Sequence, residues 1–137
     1  MRGKKAVGYR SDREANEHLV LRYGLIQNIE DPLKARAQTR NMRYKFGISL
    51  EQWLEMYDSQ GGVCGACGES VTRYAVDHDH GCCDPSSLPG SRQSLGCCIR
   101  ALLCLPCNLA EGNLRSPEQA RKLADYMEKS SSRKVGQ

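Results

Sequence analysis

Aromatic and apolar residues are scarce in this chain of 137 residues. Only 6% of the residues are aromatic, with one Trp and one Phe, and 39% are hydrophobic. The apolar runs are short and are interrupted by Arg, Asp or Glu, so the sequence predicts no membrane-spanning helix and no membrane partner. A small apolar core stabilises a domain weakly, and cross-links are expected to supplement it.

A secretory signal is also lacking. The first twelve residues are basic, and no apolar stretch follows them. We therefore expect a cytoplasmic, reducing location, where clustered cysteines bind metal more often than they form disulfides. The chain has eight cysteines, and this number makes metal sites the expected cross-links.

The positive charge is concentrated near the start of the chain. Residues 1–48 have eleven Lys and Arg against five Asp and Glu, a net charge of +6, whereas residues 49–137 have a net charge of −2. This division predicts a basic, mostly helical N-terminal arm over residues 1–48 that binds a polyanion. Arg40, Arg43 and Lys45 recur at near-helical spacing and are candidate phosphate contacts. A solvated surface helix is the alternative interpretation.

Capping signals predict several helices. Pro32 is expected to open one helix that Gly47 ends, and Ser49 with Gln52 forms a capping box for the next. Trp53 lies on the apolar stripe of that helix and is interpreted as a packing anchor. Strands are predicted over residues 70–76 and 99–103, and a short helix over residues 106–112.

A last helix is predicted from Ser116, as its cap, to about Lys129. Its apolar face is expected to pack on the body of the protein. The residues of that face are Ala120, Leu123, Ala124 and Met127. Residues 130–137 are expected to form a flexible tail.

Two C-x2-C pairs predict a structural zinc site. Cys64 and Cys67 form the first pair, and Cys104 and Cys107 form the second, with 36 residues between them. Each tight turn directs two sulfurs to one point, so the two turns supply the four ligands of a tetrahedral Zn²⁺. The ion would hold two distant segments together. Free thiols or a redox pair are the alternative.

Four more cysteines lie between these pairs. Cys82, Cys83, Cys97 and Cys98 bracket a loop rich in Gly, Pro and Ser. A second zinc ion, a disulfide that closes the loop, and unpaired thiols all remain open for them.

Histidines and carboxylates are combined just after the first predicted strand, at Asp77, His78, Asp79 and His80. Asn108 directly follows the last cysteine of the second pair, so the zinc-held turns bring it near Asp77 and His78. Oxygen atoms of Asp77 and Asn108 suit a hard divalent cation, and His78 can take a proton from water. An ordinary polar strand end with surface histidines is the alternative.

These motifs together resemble the recombination endonuclease VII family of phage His-Me finger (HNH) nucleases. The resemblance rests on the two cysteine pairs, the sequence Val-Asp-His-Asp-His at residues 76–80, and the sequence Arg-Ala-Leu-Leu-Cys at residues 100–104. It extends over residues 40–128, with Asn108 and Glu111 among the matching positions. It implies an α+β fold in which a zinc-bound ββα-metal core, residues 49–129, is flanked by N- and C-terminal helices.

The resemblance also implies a role for each residue. Asp77 and Asn108 would bind catalytic Mg²⁺, with Mn²⁺ as a substitute, and His78 would be the general base. His80 would orient the site or the phosphate, and Glu111 would support the metal. Cys64, Cys67, Cys104 and Cys107 would hold the structural zinc. Arg100 is a further candidate DNA contact.

We therefore interpret the chain as a phage-encoded, metal-dependent endonuclease that acts in the cytoplasm of a bacterial host. The expected partner is duplex, nicked or branched DNA, and a homodimer is possible. The alternative is a non-catalytic zinc module that binds DNA in phage packaging or regulation. That alternative would leave Asp77, His78 and Asn108 without a role.

Overall fold

The computed structural model describes residues 16–88, 90 and 92–132, and its elements confirm the predicted α+β class. The first fifteen residues of the predicted arm and the end of the predicted tail lie outside the described residues. The elements are α1 (residues 16–26), α2 (Pro32–Phe46), α3 (Leu50–Ser59), β1 (Tyr74–His78), a 3-10 turn (Pro85–Ser87), β2 (Ile99–Cys104), α4 (Leu105–Asn113) and α5 (Pro117–Ser130).

The helix ends follow the predicted capping residues. The Asp31 side chain accepts a hydrogen bond from Leu33 N and caps α2, and Gly47, with φ 74°, ends that helix. Ser49 and Gln52 form the predicted reciprocal capping box of α3. These signals are local in sequence, which is why they predict element boundaries well.

One apolar core joins the helices of the predicted arm to the hairpin. Trp53 is fully buried at its centre and packs edge-on against Tyr23 of α1, with ring centroids 4.8 Å apart. The role predicted for Trp53 as a packing anchor is confirmed. Buried side chains of α1, α2, α3, β1, β2 and the segment between α2 and α3 complete this core: Val20, Tyr23, Ala35, Met42, Ile48, Leu50, Leu54, Tyr74, Val76 and Leu102.

The strands β1 and β2 form an antiparallel hairpin. Strand β1 begins at Tyr74, four residues after the predicted start at residue 70. Its start is determined by residues that are distant in sequence. Tyr74 pairs with Cys104, and the Gln27 side chain satisfies the backbone N–H and C=O of Tyr74 at 2.7 and 2.9 Å. Sequence periodicity does not report such long-range pairing.

Helix α4 begins directly after β2, with Cys104 as its N-cap residue. The order is therefore strand, strand, helix, and the first turn of α4 lies at the base of the hairpin. Within the described residues, every helix is too short or too polar to span a bilayer.

The expectation that α5 packs on the body is wrong. None of its residues is buried in the described part of the chain, and Leu123 and Met127 are 47% and 61% exposed. Leu114 has an extended backbone that redirects the chain before α5 begins. An amphipathic pattern indicates that a face suits burial, but it does not say which surface covers that face.

Candidate functional site

The predicted acid and imidazole lie at the end of β1. Asp77 and His78 are each 7% exposed. A β-bulge separates them, since Asp77 pairs with Ala101 but His78 pairs with Ile99, which leaves Arg100 outside the pairing. Bulges redirect side chains, and here the bulged residue places its guanidinium on the Asp77 carboxylate.

Arg100 brings two carboxylates to one point. Its Nε donates to Asp77 Oδ2 at 2.8 Å, and its Nη2 donates to Asp77 Oδ1 at 2.9 Å. The same Nη2 lies 2.9 Å from Glu111 Oε1 on α4. The hydrogen bonds to Asp77 and then Glu111 raise the pKa of Arg100, so the guanidinium stays charged. The sequence did not predict this ion pair, because a bulge leaves no mark in the residue pattern.

His78 lies between two rings. Its imidazole centroid is 5.4 Å from the Phe46 ring and 4.3 Å from the His80 ring. Burial, and then the neighbouring His80, lower the pKa of His78, which favours the neutral imidazole at neutral pH. A hydrogen bond between the His78 ring and the Val76 backbone acts in the opposite direction and raises this pKa. A neutral imidazole that uses one nitrogen as a donor has the other available to accept a proton.

One cavity of about 720 Å³ brings the predicted catalytic residues together. Its lining includes residues of α2, β1 and α4. The five predicted positions are all present: Asp77, His78, His80, Asn108 and Glu111. The carboxylate and carboxamide oxygens that line this cavity could hold a hard divalent cation. The Arg100 guanidinium already lies between the carboxylates of Asp77 and Glu111, so these two groups accommodate a positive charge.

The first cysteine cluster has the geometry of a tetrathiolate metal site. The sulfurs of Cys64, Cys67, Cys104 and Cys107 all lie within 4.8 Å of one another, and Cys67 Sγ is 3.9 Å from Cys104 Sγ. Zn–S bonds of about 2.3 Å give a tetrahedron with S···S edges of about 3.8 Å. These four residues could therefore hold zinc, as their spacing predicts.

Backbone N–H groups favour the thiolate form of Cys64 in this cluster. Burial alone would raise the pKa of Cys64, but backbone N–H groups of Cys104, Cys67 and Ala66 outweigh that cost and lower the pKa to about 6. The Cys104 and Ala66 amides donate to Cys64 Sγ at 3.2 and 3.4 Å. A thiolate is the form that binds metal, so these amides favour metal binding.

The second cluster is formed by Cys82, Cys83, Cys97 and Cys98, whose sulfurs also lie within 4.8 Å of one another. It could hold a metal ion too. Thiols of Cys82 and Cys83 donate to Cys98 and lower its pKa to about 7, while the same bond raises the pKa of Cys82 to about 12. One sulfur of the cluster is thus favoured as a thiolate.

The predicted phosphate contacts of the arm are exposed on α2. Arg40, Arg43 and Lys45 all lie on the surface, and Lys45 also lines the cavity that contains His78. Arg36, on the same helix, instead forms an ion pair with Glu17 at 3.5 Å. Of the three predicted contacts, Lys45 at the C-terminal end of α2 is the one that lines the cavity, and Arg73 lines it as well.

The loop between β1 and β2 returns to that end of α2. Gln93 N donates to Lys45 O at 2.7 Å, and Arg92 Nε donates to Tyr44 O at 2.7 Å. The sequence did not predict this contact. The one available signal was Gly96, whose φ of 95° and close approach to the backbone of Gly47 require glycine.

A family model described as recombination endonuclease VII matches residues 39–129 of the chain. The match includes the hairpin, both cysteine clusters and all five predicted catalytic positions. No curated protein and no solved structure shows a significant match.

Proposed function

We propose that this chain, which belongs to the recombination endonuclease VII family, is a divalent-metal-dependent DNA endonuclease of the His-Me finger class. Membership of this family supports a nuclease that hydrolyses phosphodiester bonds. We propose branched DNA as its substrate, in keeping with the family. The antiparallel hairpin followed directly by α4 has the strand–strand–helix order that this class requires.

The single observation that carries the proposal is the shared cavity. Asp77 and His78 come from β1, and Asn108 and Glu111 come from α4, yet all of them line one cavity of about 720 Å³ that is open to solvent. A non-catalytic DNA-binding module has no need for a buried acid and a buried imidazole at such a place. Perturbed titratable groups in a cavity are typical of catalytic sites.

Asp77 and Asn108 are the proposed ligands of a catalytic Mg²⁺, supported by Glu111. Their oxygens are the donors that this ion prefers. When bound, Mg²⁺ supplies positive charge that stabilises the negative charge developing on the phosphate oxygens. Both Asp77 oxygens accept hydrogen bonds from Arg100, so Asp77 would have to exchange Arg100 for the ion, and the guanidinium would then be free to contact a DNA phosphate.

His78 is the proposed general base. The ring nitrogen that is not hydrogen-bonded to the Val76 backbone accepts a proton from water, and the water oxygen attacks the phosphorus atom. The bond from phosphorus to the 3′ oxygen breaks, and the departing oxygen takes a proton from solvent. Packing against Phe46 and His80 fixes the orientation of the imidazole. His80 is proposed to orient the site or the phosphate.

The first cysteine cluster is proposed to hold structural zinc at the end of the hairpin where Tyr74 pairs with Cys104. Cys104 ends β2 and caps α4, and Asn108 follows in the first turns of that helix. Zinc on Cys64, Cys67, Cys104 and Cys107 therefore holds the helix that supplies Asn108 against the hairpin that supplies Asp77.

The proposal is tested by incubating the purified protein with a plasmid and with a four-way junction, with and without Mg²⁺. His78→Ala is expected to lower the cleavage rate at least ~10²-fold, the usual effect of removing a positioned base. Asn108→Ala is expected to remove Mg²⁺-dependent cleavage. His18→Ala and Asn16→Ala, both at exposed positions of α1, are the matched controls and should cleave normally.

DNA binding without cleavage in Mg²⁺ or Mn²⁺ would support the non-catalytic zinc module instead. Normal cleavage by His78→Ala would remove that residue from the role of base. Cleavage of plasmid and junction at equal rates would leave the nuclease in place and overturn the preference for branched DNA.

A further inference from the structure

The four remaining cysteine sulfurs converge on a single point. Cys97 Sγ lies 3.6 Å from Cys82 Sγ, 3.4 Å from Cys83 Sγ and 3.5 Å from Cys98 Sγ. Cys83 Sγ and Cys98 Sγ are closer, at 2.9 Å. Three of these four distances are near the edge of a zinc tetrathiolate, about 3.8 Å.

Two disulfides do not explain this arrangement. A disulfide brings two sulfurs to about 2.05 Å and leaves each pair independent of the other. Here Cys97 approaches all three other sulfurs at similar distances, so the sulfurs form one group of four. A divalent cation would be held by all four sulfurs as thiolates, because its charge offsets their mutual repulsion.

The loop that bears the cluster has few apolar contacts to hold it. Within residues 79–98, the described residues that are buried are Ser94 and Cys98. Nevertheless the loop is ordered, since Asp79 N donates to Cys98 O at 2.9 Å and joins its two ends, and Gln93 N donates to Lys45 O at 2.7 Å and joins it to α2. A bound metal would supply the stabilisation that burial does not.

The loop also supports the residues around His78. It contacts the C-terminal end of α2 through Lys45 O, and Gly96 lies directly against Gly47, so that a Cβ on Gly96 would be 2.7 Å from Gly47 O. Phe46 lies between these two contacts in the chain and packs on the His78 ring. Fixing the loop therefore fixes one wall of the cavity.

We propose that Cys82, Cys83, Cys97 and Cys98 bind a second zinc ion, which holds the β1–β2 loop against the C-terminal end of α2. The metal site itself does not depend on the proposed nuclease activity. Only its consequence for the wall around His78 rests on that function.

Elemental analysis of protein purified without chelator tests the site. We expect two zinc ions per chain in the unmodified protein and one in the double variant Cys82→Ser/Cys83→Ser. Ser86→Ala/Ser87→Ala alters exposed positions of the same loop and should keep two ions. One ion in the unmodified protein, or a disulfide among these four residues in its intact mass, would overturn the proposal.

One further measurement on the unmodified protein keeps the test independent of how the variant folds, and a second tests the effect of the metal on the loop. Titration of the unmodified apoprotein with Co²⁺ should give thiolate charge-transfer bands that saturate at two equivalents, whereas saturation at one equivalent would contradict the second site. Trypsin should cut after Arg92 faster in Cys82→Ser/Cys83→Ser than in the Ser86→Ala/Ser87→Ala control. Equal cutting rates would show that the metal does not hold the loop.

Discussion

The two cysteine clusters occupy opposite ends of the same hairpin. The first lies where Tyr74 pairs with Cys104, and the second lies where His78 pairs with Ile99, next to Cys98. Two of the four sulfurs are buried in the first cluster, whereas Cys98 alone is buried in the second. The first joins segments that are 36 residues apart, and the second joins segments that are 13 residues apart.

This difference predicts that the first cluster stabilises the fold and that the second cluster stabilises the surroundings of the candidate site. As a zinc site, the first cluster would join β2 to α4, because Cys104 ends the strand and is the N-cap residue of the helix. The second cluster is at the end that carries Asp77 and His78, and as a zinc site it would constrain the β1–β2 loop. We therefore expect the position of Asn108 to depend on the first cluster and the surroundings of His78 to depend on the second.

The largest expected effect comes from one cysteine substitution in each cluster. Cys104→Ser should abolish cooperative thermal unfolding, because it removes a buried metal ligand shared by β2 and α4. Cys97→Ser, at an exposed position, should keep a cooperative transition and a native-like far-UV circular dichroism spectrum. Loss of the cooperative thermal transition in both variants would contradict the prediction that the first cluster stabilises the fold and the second only the loop.

A matched pair of glycine substitutions tests how tightly each end is packed. Gly68 has φ 74°, and among the described residues nothing lies within 4 Å of an added Cβ, so Gly68→Ala should cost about 1–2 kcal/mol for the left-handed backbone. Gly96→Ala adds a contact at 2.7 Å with Gly47 O and should cost more. Urea denaturation measures both. Equal losses would mean that the loop moves away from α2 freely.

The ion pair between Arg100 and Asp77, at the hairpin end that carries the second cluster, allows a third test. Arg100→Gln removes the partner of a buried carboxylate and should lower the free energy of unfolding by about 1–2 kcal/mol, a value reduced because the arginine is 43% exposed. Millimolar Mg²⁺ should then raise the Tm of Arg100→Gln more than that of the unmodified protein, since Asp77 and Glu111 are released to bind it.

Arg22→Gln is the control for that measurement. It breaks a doubly hydrogen-bonded, exposed pair with Asp58, and neither residue of the pair lines the cavity. Its Tm should not gain any additional dependence on Mg²⁺. The same Mg²⁺ dependence in both variants would indicate non-specific binding of the ion.

The smallest expected effect concerns the surface that we propose contacts DNA. Replacing Arg40, Arg43 and Lys45 together by Gln should reduce the slope of log affinity against log salt by about 2–3, since each phosphate contact contributes roughly 0.9. Fluorescence anisotropy with labelled DNA at several salt concentrations gives this slope. The result places DNA at the hairpin end that carries His78 and the second cluster.

The comparison for this slope is a triple replacement on α5. Arg121, Lys122 and Lys129 are exposed there, and changing them to Gln should leave the slope nearly unchanged. A larger loss from this variant than from the α2 variant would move the DNA-binding surface to the C-terminal helix.

Local signals in the sequence predicted much of this fold. Pro32, Gly47 and the Ser49 capping box gave correct helix ends, because a cap involves residues within four positions of one another. The cysteine spacing likewise predicted the first cluster, which the described geometry shows as four converging sulfurs. In each case the physical cause lies in a short segment or in a fixed ligand chemistry.

Pairings between distant segments could not be predicted in this way. The start of β1 depends on Cys104 and Gln27, and the contact of Arg100 with Asp77 depends on a bulge. The apolar face of α5 predicted burial that is not found in the described part of the chain. The five predicted catalytic positions do share a cavity, but their individual roles remain predictions.

The second cluster is nested inside the first along the chain, so the two sets of thiols differ in the length of chain that they close. Residues 82–98 span 17 positions, whereas residues 64–107 span 44. Closing the longer segment costs more chain entropy, so we expect the outer set to open first when zinc is withdrawn. Scarcity of zinc inside the cell would accordingly expose newly made chains to proteases, with their last helices unanchored.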